Sequence, residues 1–177
     1  MKKYNKVLCI LDRSGSMSSI LKDSIGGINS YIVSQRKSSR DVKMSILLFD
    51  TSHELHYENE DVQNIPLFTE KTYVPRGGTA LYDAIGLMIK EELEWLGDTP
   101  KEERPDKTLV VILTDGEENS SQHYRQAEIN ALITEMQEEY GWAFIFLAAD
   151  QDAFAAAGAM GIYCLLYTSP SPRDQRG

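Results

Sequence analysis

Asp12-Arg13-Ser14-Gly15-Ser16-Met17 directly follows the apolar run Val7-Leu8-Cys9-Ile10-Leu11. One carboxylate and two hydroxyls at alternate positions, placed at the end of a buried strand, can converge on one hard divalent cation, because such ions take oxygen ligands. Alone, the Ser-Gly-Ser loop reads as an ordinary turn. Two further segments change that reading: Gly77-Gly78-Thr79, and Thr114-Asp115-Gly116 at the end of a second apolar run. Asp12, Ser14, Ser16, Thr79 and Asp115 together make an all-oxygen ligand set. It suits Mg²⁺, with Mn²⁺ or Ca²⁺ as alternatives, rather than zinc, which prefers Cys and His. Two carboxylates balance a divalent charge, and neutral hydroxyls leave the ion electrophilic enough to attract an external carboxylate. Gly15 lets the first loop turn sharply, and Gly77-Gly78 lets backbone approach the ion.

The elements that must position these residues are legible from periodicity. Lys6 to Leu11 reads as a buried strand, since it is an almost continuous apolar run closed by a turn-forming sequence. Leu21, Ile25, Ile28 and Ile32 line one face of a helix, with Ser18 or Ser19 as its cap and Gly26-Gly27 allowing close packing on the sheet. Val42 to Phe49 and Ser52 to Tyr57 suit an antiparallel hairpin around Asp50-Thr51. A second helix, capped by Thr79, carries Leu81, Ile85, Met88, Ile89, Leu93 and Leu96 inward, and Glu91, Glu92 and Glu94 outward. Thr108 to Leu113 is a second buried strand. Ile129, Leu132, Ile133, Met136 and Tyr140 form a third helical stripe, Trp142 to Ala149 a further strand, and Asp150 to Met160 an Ala-rich last helix.

Strands alternating with helices predict an α/β domain: an open, mostly parallel central sheet with helices on both faces. Ligands in such sheets bind outside the carboxyl ends of the strands, where Asp12, Thr79 and Asp115 all fall. With D-x-S-G-S-M, G-G-T and T-D-G in this order, the chain resembles a von Willebrand factor type A domain with a metal ion-dependent adhesion site, of the intracellular bacterial or phage type. The resemblance runs from about residue 5 to 162. It implies a Rossmann-like fold with one antiparallel edge strand. It also implies a Mg²⁺ site at Asp12, Ser14, Ser16, Thr79 and Asp115, in which the serines ligate directly, the aspartates act directly or through water, and a partner's Asp or Glu completes the coordination. Against the family pattern, about one strand and one helix are missing after Ile162.

The chain has 177 residues, of which 42% are hydrophobic, enough for one domain with a sizeable core. Its 18 basic and 27 acidic residues give a formal charge of −9, which disfavours nucleic acid and anionic membranes as main partners. The first apolar run is too short for a signal peptide, no segment approaches the roughly 18 apolar residues of a membrane span, and two cysteines make no disulfide framework. A cytoplasmic protein is expected, with Cys9 a buried strand residue. From Cys164 to Asp174 the sequence loses both periodicities and resembles the frame translation of a transposase-type sequencing adapter. The domain is therefore drawn over 1–163, with 164–177 as a non-native or disordered tail.

Several residues invite a chemical reading and receive a plainer one. Met17 reads as packing, and His53 and His56, three apart on a strand, point to opposite faces. His123, Glu117-Glu118 and Asp150/Asp152 read as surface or capping groups. Arg76 reads either as a structural arginine or as an attractor of a partner carboxylate. The leading function is a nonenzymatic module that binds an acidic residue of a partner protein through Mg²⁺. An accessory subunit of an ATPase or kinase system would share that site. A metal-dependent phosphohydrolase with Asp12 as nucleophile fits less well, because Ser14 stands where a second aspartate is expected, and no G-x-S-x-G elbow supports acyl transfer.

Overall fold

The computed structural model describes residues 3–115, 118–148 and 163–166, so the helix expected over 150–160 lies outside the described residues. Six strands, β1 (Tyr4–Asp12), β2 (Asp41–Phe49), β3 (His53–Asp61), β4 (Lys107–Thr114), β5 (Ala143–Ala148) and β6 (Tyr163–Leu166), form one sheet in the order β3-β2-β1-β4-β5-β6. Every neighbouring pair is parallel except β2 with β3, which run antiparallel. The sheet is the open, mostly parallel α/β architecture that the sequence predicts. The backbone of β6 pairs with β5 from Ile145–Tyr163 to Ala148–Leu166. A short apolar Cys-Leu-Leu run in extended form satisfies backbone groups that the edge of β5 would otherwise present.

Period-two alternation divides the core. Leu8 and Ile10 of β1, Leu47 and Phe49 of β2, Val110 and Ile112 of β4, and Phe144 and Phe146 of β5 face α2 (Leu81–Asp98) and α3 (Gln126–Tyr140). Val7, Cys9 and Leu11, with Met44, Ile46, Leu48, Val111 and Leu113, face α1 (Leu21–Arg36), Met17 and the segment around Val62, Ile65, Phe68 and Tyr73. A strand covered on both faces must be apolar at nearly every position, which is why β1 and β4 read as continuous runs. Met17 is fully buried, as the packing reading has it, and Cys9 is buried, with burial pushing its thiol up to about 12.

Four local expectations are corrected. A short 3₁₀ turn, Gly15–Ile20, intervenes before α1, so Ser18 and Ser19 bond back to the carbonyls of Gly15 and Ser16 instead of capping the helix. A Cβ on Gly26 would meet nothing within 4 Å, so close packing does not explain that glycine. Thr79 is not the cap of α2, whose N-cap position is Ala80. The loop after β4 supplies the caps instead: Glu118 accepts the Tyr82 N–H at 3.2 Å, and Ser121 Oγ accepts that of Asp83 at 3.0 Å. Glu118 is thus a capping group rather than a solvated loop acid.

The outward reading of Glu92 fails as well. It is 4% exposed and sits 2.7 Å from Lys6 Nζ, itself 1% exposed and 3.6 Å above the Trp95 ring centroid. A buried lysine on β1 demands a counter-charge, and α2 supplies it.

Candidate metal centre

β1 ends at Asp12 and β4 at Thr114, in adjacent parallel strands, so both following loops open on the carboxyl edge of the sheet. Asp12 is completely buried. Its Oδ1 accepts the Ser14 N–H at 2.7 Å, an Asx turn that folds the loop back over the strand end, and its Oδ2 accepts Thr114 Oγ1 at 2.7 Å. Burial pushes its carboxyl up to about 6; the hydrogen bonds from Ser14 and Thr114 pull down less, and the Asp115 charge adds to the rise. Ser14 Oγ lies 3.2 Å from Ser16 Oγ, and Ser16 Oγ donates to Asp115 Oδ2. Four of the five expected residues therefore form one connected cluster of oxygens.

Thr79 is held beside this cluster by backbone. Gly15 N–H donates to Gly77 O at 3.0 Å, tying the Asp-x-Ser-x-Ser loop to the glycine loop. Asn119 Oδ1 accepts the Thr79 N–H, and Thr79 O accepts the N–H groups of Asn119 and Ser120. Thr79 is 1% exposed, yet its hydroxyl bonds to none of the other four residues. The glycines are required here. Gly77 has φ +67°, and a Cβ on Gly78 would lie 2.4 Å from Ser120 Oγ.

The donor set fits a small hard cation. Ligands 2.0–2.1 Å from an octahedral ion stand roughly 3 Å apart, close to the Ser14–Ser16 separation of 3.2 Å. The neighbouring cation does not neutralise the cluster, because Arg13 turns its guanidinium away to Asp50 (3.0 Å) and Glu54 (3.0 Å). Among the described residues no group of three or more His, Cys, Asp or Glu side chains is arranged to hold a metal. Here two carboxylates are supplemented by hydroxyls.

Two supports were missed in the sequence. Asp50, at the end of β2 and 3% exposed, joins three segments of the site. It accepts Arg13 Nε, Arg76 Nε (2.9 Å) and both the N–H and hydroxyl of Ser52, while its carbonyl accepts Ala80 N–H. Burial pushes this carboxyl up, but those hydrogen bonds together outweigh it and leave it below its ordinary value. Arg76 is thereby shown in a structural role, with its side chain still 60% exposed. Tyr73, fully buried, donates its hydroxyl to the carbonyl of Asp12. The available signal was a third aspartate at a strand end; its meaning as a hub was hidden, because Asp50-Thr51 equally suits a plain hairpin turn.

No protein-family model matches the sequence, and no curated protein matches it. Solved structures do. A von Willebrand factor type A protein from Catenulispora acidiphila aligns with 98% of this chain at TM-score 0.61 and 14% identity. The manganese-loaded TRAP protein of Plasmodium vivax aligns with 90% at TM-score 0.59 and 18% identity. The ArnB paralog VWA2 of Sulfolobus acidocaldarius aligns with 93% at TM-score 0.54 and 17% identity. The chain spans 41%, 63% and 42% of the lengths of those three. At these identities the likeness shows a shared fold, that of the von Willebrand factor type A domain.

Proposed function

We propose that this domain is a nonenzymatic, Mg²⁺-dependent protein-interaction module of the cytoplasm that grips an Asp or Glu side chain of a partner protein. The observation that carries the reading is the linked oxygen cluster Asp12, Ser14, Ser16 and Asp115, with the Thr79 loop strapped against it. Asp12, Ser14, Ser16, Thr79 and Asp115 would hold the ion, which when bound supplies an electrophilic centre for an external carboxylate. Asp12 and Ser14 are buried while Ser16 is exposed, so the cluster opens to solvent on one side. Ser14, with no second aspartate in its place, argues for holding rather than phosphoryl transfer. Manganese in one protein of the same fold agrees with a hard-cation site. No helix among the described residues is long and apolar enough to cross a membrane.

Thermal unfolding with increasing MgCl₂ tests the site, with Asp12→Ala as control. A ligand present at about 100 times its Kd stabilises by about 2.7 kcal/mol, a gain the variant should lack. Equal Mg²⁺ affinity in the two proteins would overturn the assignment.

A further inference from the structure

Beside the candidate metal centre runs a groove of about 660 Å³, bounded by the β2–β3 turn, one face of α2 and the loop that follows β4. Ala80, Asp83, Leu87 and Lys90 recur at helical spacing along its length, and the Tyr124 ring lies over the middle of that face, against Gly86. Its near end is shared with the metal-centre loops. Thr51, which lines it, accepts the Gly78 N–H at 2.8 Å, and Ser120, also lining it, donates its N–H to the Thr79 carbonyl.

The groove does not share the acidic excess of the chain, since its formally charged lining residues are Lys90 and Asp83 alone. Its titratable lining comprises His53, Lys90, His123 and Tyr124 with a single carboxylate, Asp83. That carboxylate is committed: Oδ2 accepts the Gln122 N–H at 2.8 Å, and Oδ1 accepts those of His123 and Tyr124 at 2.9 Å. Lys90 is exposed and enters no ion pair among the described residues. On a protein of formal charge −9, a groove without that acidic excess, with the exposed Lys90 cation at its far end and an apolar floor at Leu87 and Tyr124, complements a short acidic segment. The overall charge repels a long polyanion.

We propose that this groove receives the extended chain of a partner protein next to its metal-bound carboxylate, and that Lys90 pairs with a second acidic residue of that segment. The inference rests on the function proposed above. It also sets a spacing. From Ala80 to Lys90 the helix rises about 15 Å, which an extended peptide covers in about four to five residues. The partner motif is therefore two acidic residues about five apart, with an apolar side chain between them for Leu87 and Tyr124.

Three fluorescein-labelled decapeptides, of Gly and Ser apart from the motif, test this by fluorescence anisotropy in MgCl₂ and in EDTA. One carries Asp, a central Leu, and Glu five positions after the Asp; a second replaces that Glu by Gln, and a third by Lys. The Glu peptide should bind up to about fivefold tighter than the Gln peptide, the upper end for an exposed ion pair. In Lys90→Glu that preference should vanish and the Lys peptide should gain, with Mg²⁺ affinity unchanged. A Glu preference that depends on Lys90 but survives EDTA supports the groove while removing the metal from the proposed function. Mg²⁺-dependent binding indifferent to both Lys90 and the second charge overturns the groove and leaves the metal reading intact. Absence of binding by every peptide, or equal binding by a ten-residue oligothymidylate, also overturns it.

Discussion

Lys6 and Glu92 make the interior of this domain electrostatically brittle, and the cost of disturbing them follows from the geometry. The two charges meet at 2.7 Å with side chains 1% and 4% exposed. The ammonium also lies 3.6 Å above the Trp95 ring, while Glu92 Oε1 is a buried oxygen with no hydrogen-bond partner. Burial raises the Glu92 pKa and lowers that of Lys6, in each case against the opposing pull of the partner. Desolvation therefore outweighs the mutual attraction. Lys6→Met keeps the stem's volume but strands a buried carboxylate, and should cost about 3–5 kcal/mol in urea unfolding at pH 7.5. Glu92→Gln should cost less, because the Trp95 face still stabilises the ammonium by up to about 2 kcal/mol. The pair Lys6→Met with Glu92→Leu should return to wild-type stability or exceed it by about 1–4 kcal/mol. The sign with pH follows from the raised acid pKa: the folded Lys6→Met protein holds the Glu92 proton more tightly than the unfolded chain does, so its deficit should shrink as pH falls from neutral towards about 4. A Lys6→Met deficit below about 1 kcal/mol, with no dependence on pH, would show instead that the pair is solvated.

Asp50→Asn should destabilise the fold by about 1–3 kcal/mol at neutral pH, by leaving the Arg13 and Arg76 charges without a shared partner. Because the Asp50 pKa is lowered by folding, the wild-type advantage should be full above about pH 4 and decline as pH falls through the folded value, read by chemical denaturation across pH 2–7. Gly86→Ala should destabilise by about 1–3 kcal/mol, since its Cβ would sit 2.5 Å from the Tyr124 ring. Gly26→Ala, with open space around it in α1, should stabilise by about 0.4–1 kcal/mol. Matched thermal melts of these two variants moving in the same direction would contradict the packing described for them. Tyr73→Phe should remove one buried hydrogen bond to the Asp12 carbonyl, at a cost of about 1–3 kcal/mol, and weaken Mg²⁺ binding measured by calorimetry.

How much the sequence discloses depends on whether a residue answers to its own neighbours or to distant ones. β1 and β4 are legible because burial on both faces forces apolar runs, and Asp12 and Asp115 stand out by ending them. The antiparallel hairpin is legible from its turn. Glu92 is misread because its helical position resembles that of Glu91 and Glu94, and only the arrival of Lys6 from another element draws it inward. Thr79 looks like a helix cap by type and place, yet Glu118 and Ser121 bring the caps from far along the chain. Asp50 offers the same difficulty: a strand-end aspartate bonded to Ser52 is locally a turn residue, and the Arg13 and Arg76 guanidinium groups reach its carboxylate only after folding.

The position of β1 also has a mechanical side. It is paired in parallel with β2 from Tyr4 to Asp12 and with β4 from Asn5 to Leu11, and Asp12 is its final residue. A pull delivered to the cluster through Asp12 runs along the axis of that strand. It is resisted in shear by hydrogen bonds on both flanks that must slip together, whereas a peeling load would open them singly. The buried Lys6–Glu92 clasp near the opposite end of β1 pins the strand against such sliding. A partner held at this edge would thus tug on the best-anchored strand of the sheet.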